Sequence, residues 1–230
     1  MPHGHKPSHS RFARLHPKAY FWIHVAVGLL LAGACAWAFA SIAEDLPEKG
    51  TMVHVDKWVT AWLQRHGTQY GESIFLFVSL FGDQALDAIL VATGILFLAR
   101  RDWNRLLALI VTCGGGALLN YMLKASFHRA RPDAAAQFAT DAWSFPSGHA
   151  TDSLISYGLL TYWLRARFPR WRTPIFVACL ALVALIGYAR IYLGVHYLSD
   201  VMGGYLSGGV WLAVCITAYH FSVRPPEAID

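Results

Sequence analysis

Residues 20–43 read YFWIHVAVGLLLAGACAWAFASIA: from Tyr20 to Ala43, 24 residues pass without an Asp, Glu, Lys or Arg. About 20 apolar residues in a helix span a bilayer core. Lipid satisfies no backbone polar group, so a segment that enters the membrane does so as helix. A cleaved secretory leader has an apolar core of only about 7–15 residues. This stretch is longer and reads as an uncleaved anchor.

Working outward, further apolar stretches follow. The second begins between Leu80 and Ala85 and ends near Ala99, with Asp83 and Asp87 at its wet end. The others run Leu106–Leu123, Ser147–Leu164, Pro174–Ala189 and Val201–Val223. Composition agrees: 56% of residues are hydrophobic, 14% are charged and the mean hydropathy is +0.39, where a soluble domain carries about 25% charge. Disorder, collagen and coiled coil are excluded, and so in practice is a water-soluble globule. The expected fold is all-α: a polytopic membrane protein with six transmembrane helices in one domain over 20–223, between tails 1–19 and 224–230.

The connection 44–82 is long. Val55, Trp58, Val59, Trp62 and Leu63 recur in it at helical spacing, with Asp56, Lys57, Gln64 and Arg65 facing elsewhere. This predicts an amphipathic helix lying in the outer interface. Ile74–Phe81 is a second apolar piece, too short to span. Cys35, Cys113, Cys179 and Cys215 all lie inside hydrophobic stretches without CxxC spacing and read as small packing residues. His3, His5, His9 and His16 belong to a tail read as disordered. No run of Lys and Arg among aromatics suggests a nucleic-acid face.

Lys and Arg set the orientation. Lys6, Arg11, Arg14, Lys18, Arg100, Arg101, Arg105, Arg165, Arg167, Arg170, Arg172 and Arg224 fall on one side. Lys49, Lys57, Arg65, Lys124, Arg129, Arg131 and Arg190 fall on the other. Twelve against seven predicts both termini in the cytoplasm, and the bias sharpens if some of the seven serve a function.

Three polar clusters then share the outer face: KASFHRARP (Lys124–Pro132), FPSGHATD (Phe145–Asp152) and ARIYLGVHYLSD (Ala189–Asp200). Polar groups at membrane depth are costly and usually functional. Lys124, Arg131 and Arg190 together match a dianionic phosphate, Arg by bidentate hydrogen bonds and Lys as a point charge. Each alone also fits a cation snorkelling to headgroups. Ser147 reads as a helix N-cap, Gly148 admits close backbone approach, and the first N–H groups favour an anion beside His149. Taken alone, the same residues fit a plain helix start. His196 and Asp200 are four apart. On a helix they share a face, and the carboxylate fixes the ring tautomer. The bland alternative is an ion pair closing a helix end. Gly194 marks the break between the last two spans. The clusters supply a phosphate cradle and two histidines, enough for phosphoryl transfer. The outer loops hold no carboxylate-rich cluster for magnesium, so neither metal nor cofactor is expected.

These residues resemble the signature of the type 2 phosphatidic acid phosphatase superfamily, the lipid phosphate phosphatases. Lys124 and Arg131-Pro132 fit Lys, six residues, Arg-Pro. Pro146 to His149 fits Pro-Ser-Gly-His. Arg190, His196 and Asp200 fit Ser-Arg, five residues, His, three residues, Asp, with Ala189 in the serine position. The resemblance implies that His196 attacks phosphorus to form a phosphohistidine, that Asp200 orients it, and that His149 protonates the leaving oxygen and then activates water. It implies that Lys124, Arg131, Arg190, Ser147 and the Gly148 amide hold the phosphate oxygens, without metal, in the loop 124–147 and the helix ends around it.

The expected activity is a bacterial inner-membrane lipid phosphatase with its site facing the periplasm. Undecaprenyl diphosphate, phosphatidylglycerol phosphate, phosphatidic acid and lipid A phosphate are the candidate substrates. A lipid phosphotransferase using the same phosphohistidine is the alternative. A silent scaffold or transporter is a different class, opposed by the intact His149 and His196 and by the absence of inverted repeats. The Gly204/Gly208 pair and the Gly114–Gly116 run read as tight helix-packing sites.

Overall fold

The computed structural model describes residues 17–46, 50–133 and 142–223, and every regular element among them is helical. The expected tail features, including His3, His5, His9, His16 and Arg224, lie outside the described residues, as does Lys49. The elements are α1 (Pro17–Glu44), α2 (Thr51–His66), α3 (Gln69–Ser79), α4 (Gln84–Ala99), α5 (Trp103–Leu109), α6 (Gly115–Phe127), α7 (Gly148–Arg167), α8 (Arg172–Tyr192) and α9 (Leu198–Val223). A π-helical turn, Ile110–Gly114, joins α5 to α6 in one rod, and a 3₁₀ turn, Leu80–Gly82, joins α3 to α4.

Among the described residues, five segments are long and apolar enough to cross a bilayer: Val25–Glu44, Gln69–Ala99, Trp103–Phe127, Pro169–Tyr192 and Leu198–Ser222. Ile74–Phe81, read as too short to span, is thus part of a helical run continuous with α4. The helix expected as the fourth span, α7, is not among the five. It carries Thr151, Ser153, Ser156 and Thr161, all buried. The reason is position: α7 packs on α8 and α9 and touches α6 and α4, so protein rather than lipid surrounds its polar side chains.

Helix spacing depends on small residues. A Cβ on Gly204 would stand 2.6 Å from the Ser147 carbonyl oxygen, and one on Gly208 3.1 Å from that of Thr151. These two glycines, four apart on α9, let it cross α7 backbone to backbone. Thr151 Oγ1 lies in the seam, 2.9 Å from the Ser147 oxygen and 3.2 Å from the Gly204 oxygen. The outer surface is apolar, with Leu30, Trp37, Val91, Leu107, Val177 and Leu180 exposed, as lipid contact requires.

α2 departs from its expected orientation. Lys57, Gln64 and Arg65 are exposed, but so are Val55, Trp58 and Trp62, while Val53, Leu63 and Asp56 are buried. Asp56 does not face away from the bundle. It faces inward, where it meets an arginine described below.

Candidate active site

Four helix termini converge at one end of the bundle: the end of α6, the start of α7, the end of α8 and the start of α9. There Lys124, Arg131, Gly148, His149, Arg190 and His196 line one cavity of about 410 Å³. Six of the eight residues singled out in the sequence therefore share a wall. The other two, Asp200 and Ser147, are fully buried behind it.

His196 arrives by a tight helix ending. Gly194 takes the left-handed conformation, φ 66°, which glycine adopts without steric cost. The N–H groups of Val195 and His196 then both donate to the Arg190 carbonyl oxygen, at 3.2 and 3.3 Å. That turn brings His196 beside Arg190, six residues earlier. His196 itself lies in the bend before α9 rather than on the helix, so its pairing with Asp200 is not the helical one expected. Asp200 Oδ2 accepts the Tyr197 N–H at 2.8 Å, and His196 Nδ1 faces the same oxygen across 3.5 Å with no nearer partner among the described residues.

The tautomer follows from chemistry. Arg131 Nη1 stands 3.2 Å from His196 Nε2 and donates to the Val195 carbonyl oxygen at 2.7 Å. A guanidinium only donates, so Nε2 accepts and the ring proton sits on Nδ1, toward Asp200. Burial first, then the neighbouring Arg131 and Arg190, hold His196 down at about 4 against the opposing pull of Asp200. The ring is neutral with its Nε2 lone pair toward the cavity side.

Arg190 is buried and donates through Nη1 to Ser79 Oγ at 2.6 Å, while its Nε has no hydrogen-bond partner among the described residues. Lys124 Nζ reaches the Trp143 carbonyl oxygen at 3.3 Å. Ser147 occupies the N-cap position of α7, but its hydroxyl makes no capping bond and is buried without a partner among the described residues; its N–H donates instead to the Asp200 carbonyl oxygen at 2.9 Å. A Cβ on Gly148 would meet Asn120 Oδ1 at 3.4 Å and Asp152 Oδ2 at 3.9 Å. Those are ordinary contacts, so packing alone does not demand glycine there.

Sequence reasoning missed Arg129, Asp56, Ser79 and Asn120. Arg129 donates to both Asp200 and Asp56. Asn120 Nδ2 donates to Thr151 Oγ1 at 3.0 Å behind the start of α7. Arg129 lies within the quoted run Lys124–Pro132, so its nearness to Arg131 was the available signal. The others act across tens of residues and left none.

A membrane-embedded helical bundle with three cations and two histidines on one cavity is the class this arrangement defines. Comparison with known proteins agrees. Residues 105–224 match the PAP2 superfamily. The chain is 30% identical over 183 residues to phosphatidylglycerophosphatase B of Bacillus subtilis (strain 168), covering 78% of this chain and 85% of that one. A lipid A 1-phosphatase of Rhizobium johnstonii is 34% identical over 115 residues, 46% of this chain and 43% of that protein. An undecaprenyl-diphosphatase of Sulfolobus acidocaldarius is 35% identical over 71 residues, 31% of each. The crystal structure of a transmembrane PAP2-type phosphatidylglycerolphosphate phosphatase from Bacillus subtilis superposes with a TM-score of 0.75 at 24% identity, covering 85% of this chain and 98% of that one. The chain belongs to the PAP2 superfamily.

Proposed function

We propose that the protein is a lipid phosphatase that hydrolyses a phosphate or diphosphate on a membrane lipid through a phosphohistidine. The observation that carries this is the shared cavity wall, where the acceptor Nε2 of His196 stands among Lys124, Arg131 and Arg190 with His149 on the same surface.

In the first step His196 Nε2 attacks phosphorus as the bond to the lipid oxygen breaks. Protonated His149 gives its proton to that leaving oxygen. In the second step His149 takes a proton from water as the water oxygen attacks phosphorus. The P–N bond breaks, phosphate leaves, and the neutral imidazole returns. Asp200 faces the Nδ1 proton throughout and stabilises the charge that develops on the ring. Arg131 releases Nε2 and, with Lys124, Arg190 and the Gly148 N–H, holds the phosphoryl oxygens; Ser147, expected to join them, is buried behind the wall. Three permanent cations and a helix N-terminus supply the charge stabilisation that a metal gives elsewhere, so the reading includes metal independence.

The same proposal has six crossings: α1, the α3–α4 run, the α5–α6 rod, α7, α8 and α9, forming one domain over 20–223. The tails 1–19 and 224–230 are cytoplasmic; the part of 44–82 that precedes α3, with α2 in it, and the segment 124–147 are periplasmic, the latter carrying part of the site. The Lys and Arg distribution supports that orientation, and the exposed Trp58 and Trp62 support an interfacial α2.

The deciding experiment is phosphate release by the purified protein from phosphatidylglycerol phosphate, phosphatidic acid, lipid A phosphate and undecaprenyl diphosphate, with EDTA present. Release from at least one, with inhibition by vanadate, is expected. No release from any lipid phosphate, or activity that vanishes in EDTA and returns with magnesium, overturns the reading.

A further inference from the structure

We propose that Arg129 and Asp56 are positioning residues for the reaction: the Asp56–Arg129 pair sets where the Asp200 carboxylate stands relative to His196. The inference rests on the assignment of His196 as nucleophile made above.

Two carboxylates share one guanidinium. Arg129 Nη1 donates to Asp200 Oδ1 at 2.5 Å and Nη2 to Asp56 Oδ2 at 2.8 Å. The fork of a guanidinium is rigid and planar, so these bonds fix the spacing of the two carboxylates. Asp56 is itself pinned. Its Oδ1 accepts the Ser199 N–H at 2.9 Å, and its Oδ2 accepts the Ser199 hydroxyl at 2.5 Å. Arg129 Nη1 also meets Ser199 Oγ at 2.6 Å, and the guanidinium stacks over the Tyr197 ring at 4.4 Å. Apart from the Arg129–Asp56 bond, every one of these contacts falls on residues 197–200, which follow His196 and open α9. Asp56, Ser199 and Asp200 are completely buried, and the Arg129 side chain is nearly so.

The arrangement explains the long His196–Asp200 contact. Asp200 Oδ1 is held by Arg129 and Oδ2 by the Tyr197 N–H, so the carboxylate stops 3.5 Å from Nδ1. Asp56 determines how hard Arg129 pulls. With both carboxylates ionised, the guanidinium divides its charge between them, and Asp200 keeps negative charge to face the ring. With Asp56 neutral, the whole guanidinium charge falls on Asp200, and one more positive charge stands near His196. Arg131 from the α6–α7 connection, Arg190 from α8, His149 from α7 and Lys124 from α6 share the cavity with the ring, as do the carboxylates of Asp83 before α4, Asp87 on α4 and Asp152 on α7. Among these carboxylates and Asp200, it is Asp200 that pairs with the ring. Its placement is therefore decisive. A geometric consequence also follows. α2, which shows Trp58 and Trp62 to its surroundings, is tied through Asp56 to the segment that bears the nucleophile.

The test compares purified full-length wild type with Asp56→Asn, Arg129→Gln, the double variant and His196→Ala. It measures kcat, KM and the pH dependence of kcat/KM on one lipid phosphate. The expectation is a kcat fall of about tenfold or more in each single variant, as for loss of a hydrogen bond to a charged group, with KM within about twofold. Arg129→Gln removes a positive charge and moves the acid limb to higher pH. Asp56→Asn removes a negative charge and does not. The double variant returns the limb toward wild type. A purely structural role lowers the yield of folded protein without moving the limb in this pattern, and that result overturns the proposal. If either single variant fails to fold, the double variant, which lacks both buried charges, decides: a kcat within about twofold of wild type overturns the proposal, and a fall of about tenfold at unchanged KM upholds it. An active His196→Ala defeats the nucleophile assignment instead, so the two failures are distinguishable.

Discussion

Gly82 is the floor under His149. A Cβ built on Gly82 would come 3.2 Å from Cδ2 of the His149 ring and 2.7 Å from Cγ2 of Ile186. The 3₁₀ turn between α3 and α4 therefore approaches the start of α7 as closely as a backbone can. Gly82→Ala is expected to push the imidazole by a few tenths of an ångström and to lower kcat about tenfold, because misplacing a reacting group by about 1 Å costs around a hundredfold. Steady-state kinetics with a folded, monodisperse variant checks this. An unchanged kcat removes the steric role given to Gly82.

His196→Ala is expected to abolish turnover and to form no phosphoenzyme. His149→Ala is expected to lose at least about a hundredfold, the usual scale for a missing general acid. Phosphate release and acid-quench trapping of the phosphorylated protein read both. Near-normal release from His196→Ala removes it as nucleophile.

The pH dependence follows from the burial of His196. An ordinary histidine titrates near 6.5, and this one is pushed down to about 4 by burial and by Arg131 and Arg190. Only the neutral ring is a nucleophile, so kcat/KM, corrected for ionisation of the substrate phosphate, should persist below pH 6 and fall only as pH drops through about 4. Stability moves with the same sign. Between the two values the unfolded chain binds a proton that the folded one does not, so this group's contribution is complete above 6.5 and is lost as pH falls toward 4. An acid limb centred near 6.5 in the free enzyme would contradict the buried, neutral assignment.

Ala189 stands where the superfamily signature has serine, and it is fully buried. A neutral hydrogen bond contributes about 1 kcal/mol, roughly fivefold in rate. Ala189→Ser should therefore change kcat/KM by less than about tenfold. Arg190→Ala removes a charged phosphate ligand and should lower it about a hundredfold or more. A hundredfold gain in Ala189→Ser would mark the natural protein as a weakened enzyme.

Sidedness has its own check. With Cys35, Cys113, Cys179 and Cys215 replaced, Asp133→Cys should react with a membrane-impermeant maleimide in intact spheroplasts. Arg170→Cys should react only after permeabilisation. Both positions are exposed. The reverse pattern overturns the periplasmic placement of the site.

The helix ends and the convergence of the three clusters were legible, because each cluster falls where an apolar run stops, and alternation of spans puts alternate stops at one end. The partnership of Asp56 with Arg129 was not. An amphipathic pattern on α2 gives two faces without saying which meets protein. Here the aromatic face is exposed and the carboxylate turns inward to a cation 73 residues away. The Ser147 hydroxyl was read as a cap because serine before a helix usually is one; its N–H is engaged with Asp200 instead. The conformation of His196 escaped as well, since i, i+4 spacing reads as helix whether or not the helix has begun.

The buried polarity of α7 bears on how the protein is made. Thr151, Ser153, Ser156 and Thr161 find their surroundings in α8, α9 and α6, and α8 and α9 are synthesised later. A helix with that many hydroxyls gains little from entering lipid alone. α7 would then partition into the bilayer only in the company of the hairpin that follows it on the ribosome. On this account the entry of α7 into the bilayer and the closing of the Gly204/Gly208 seam over it are one event, and a chain cut short before α9 should fail to hold α7 in the membrane.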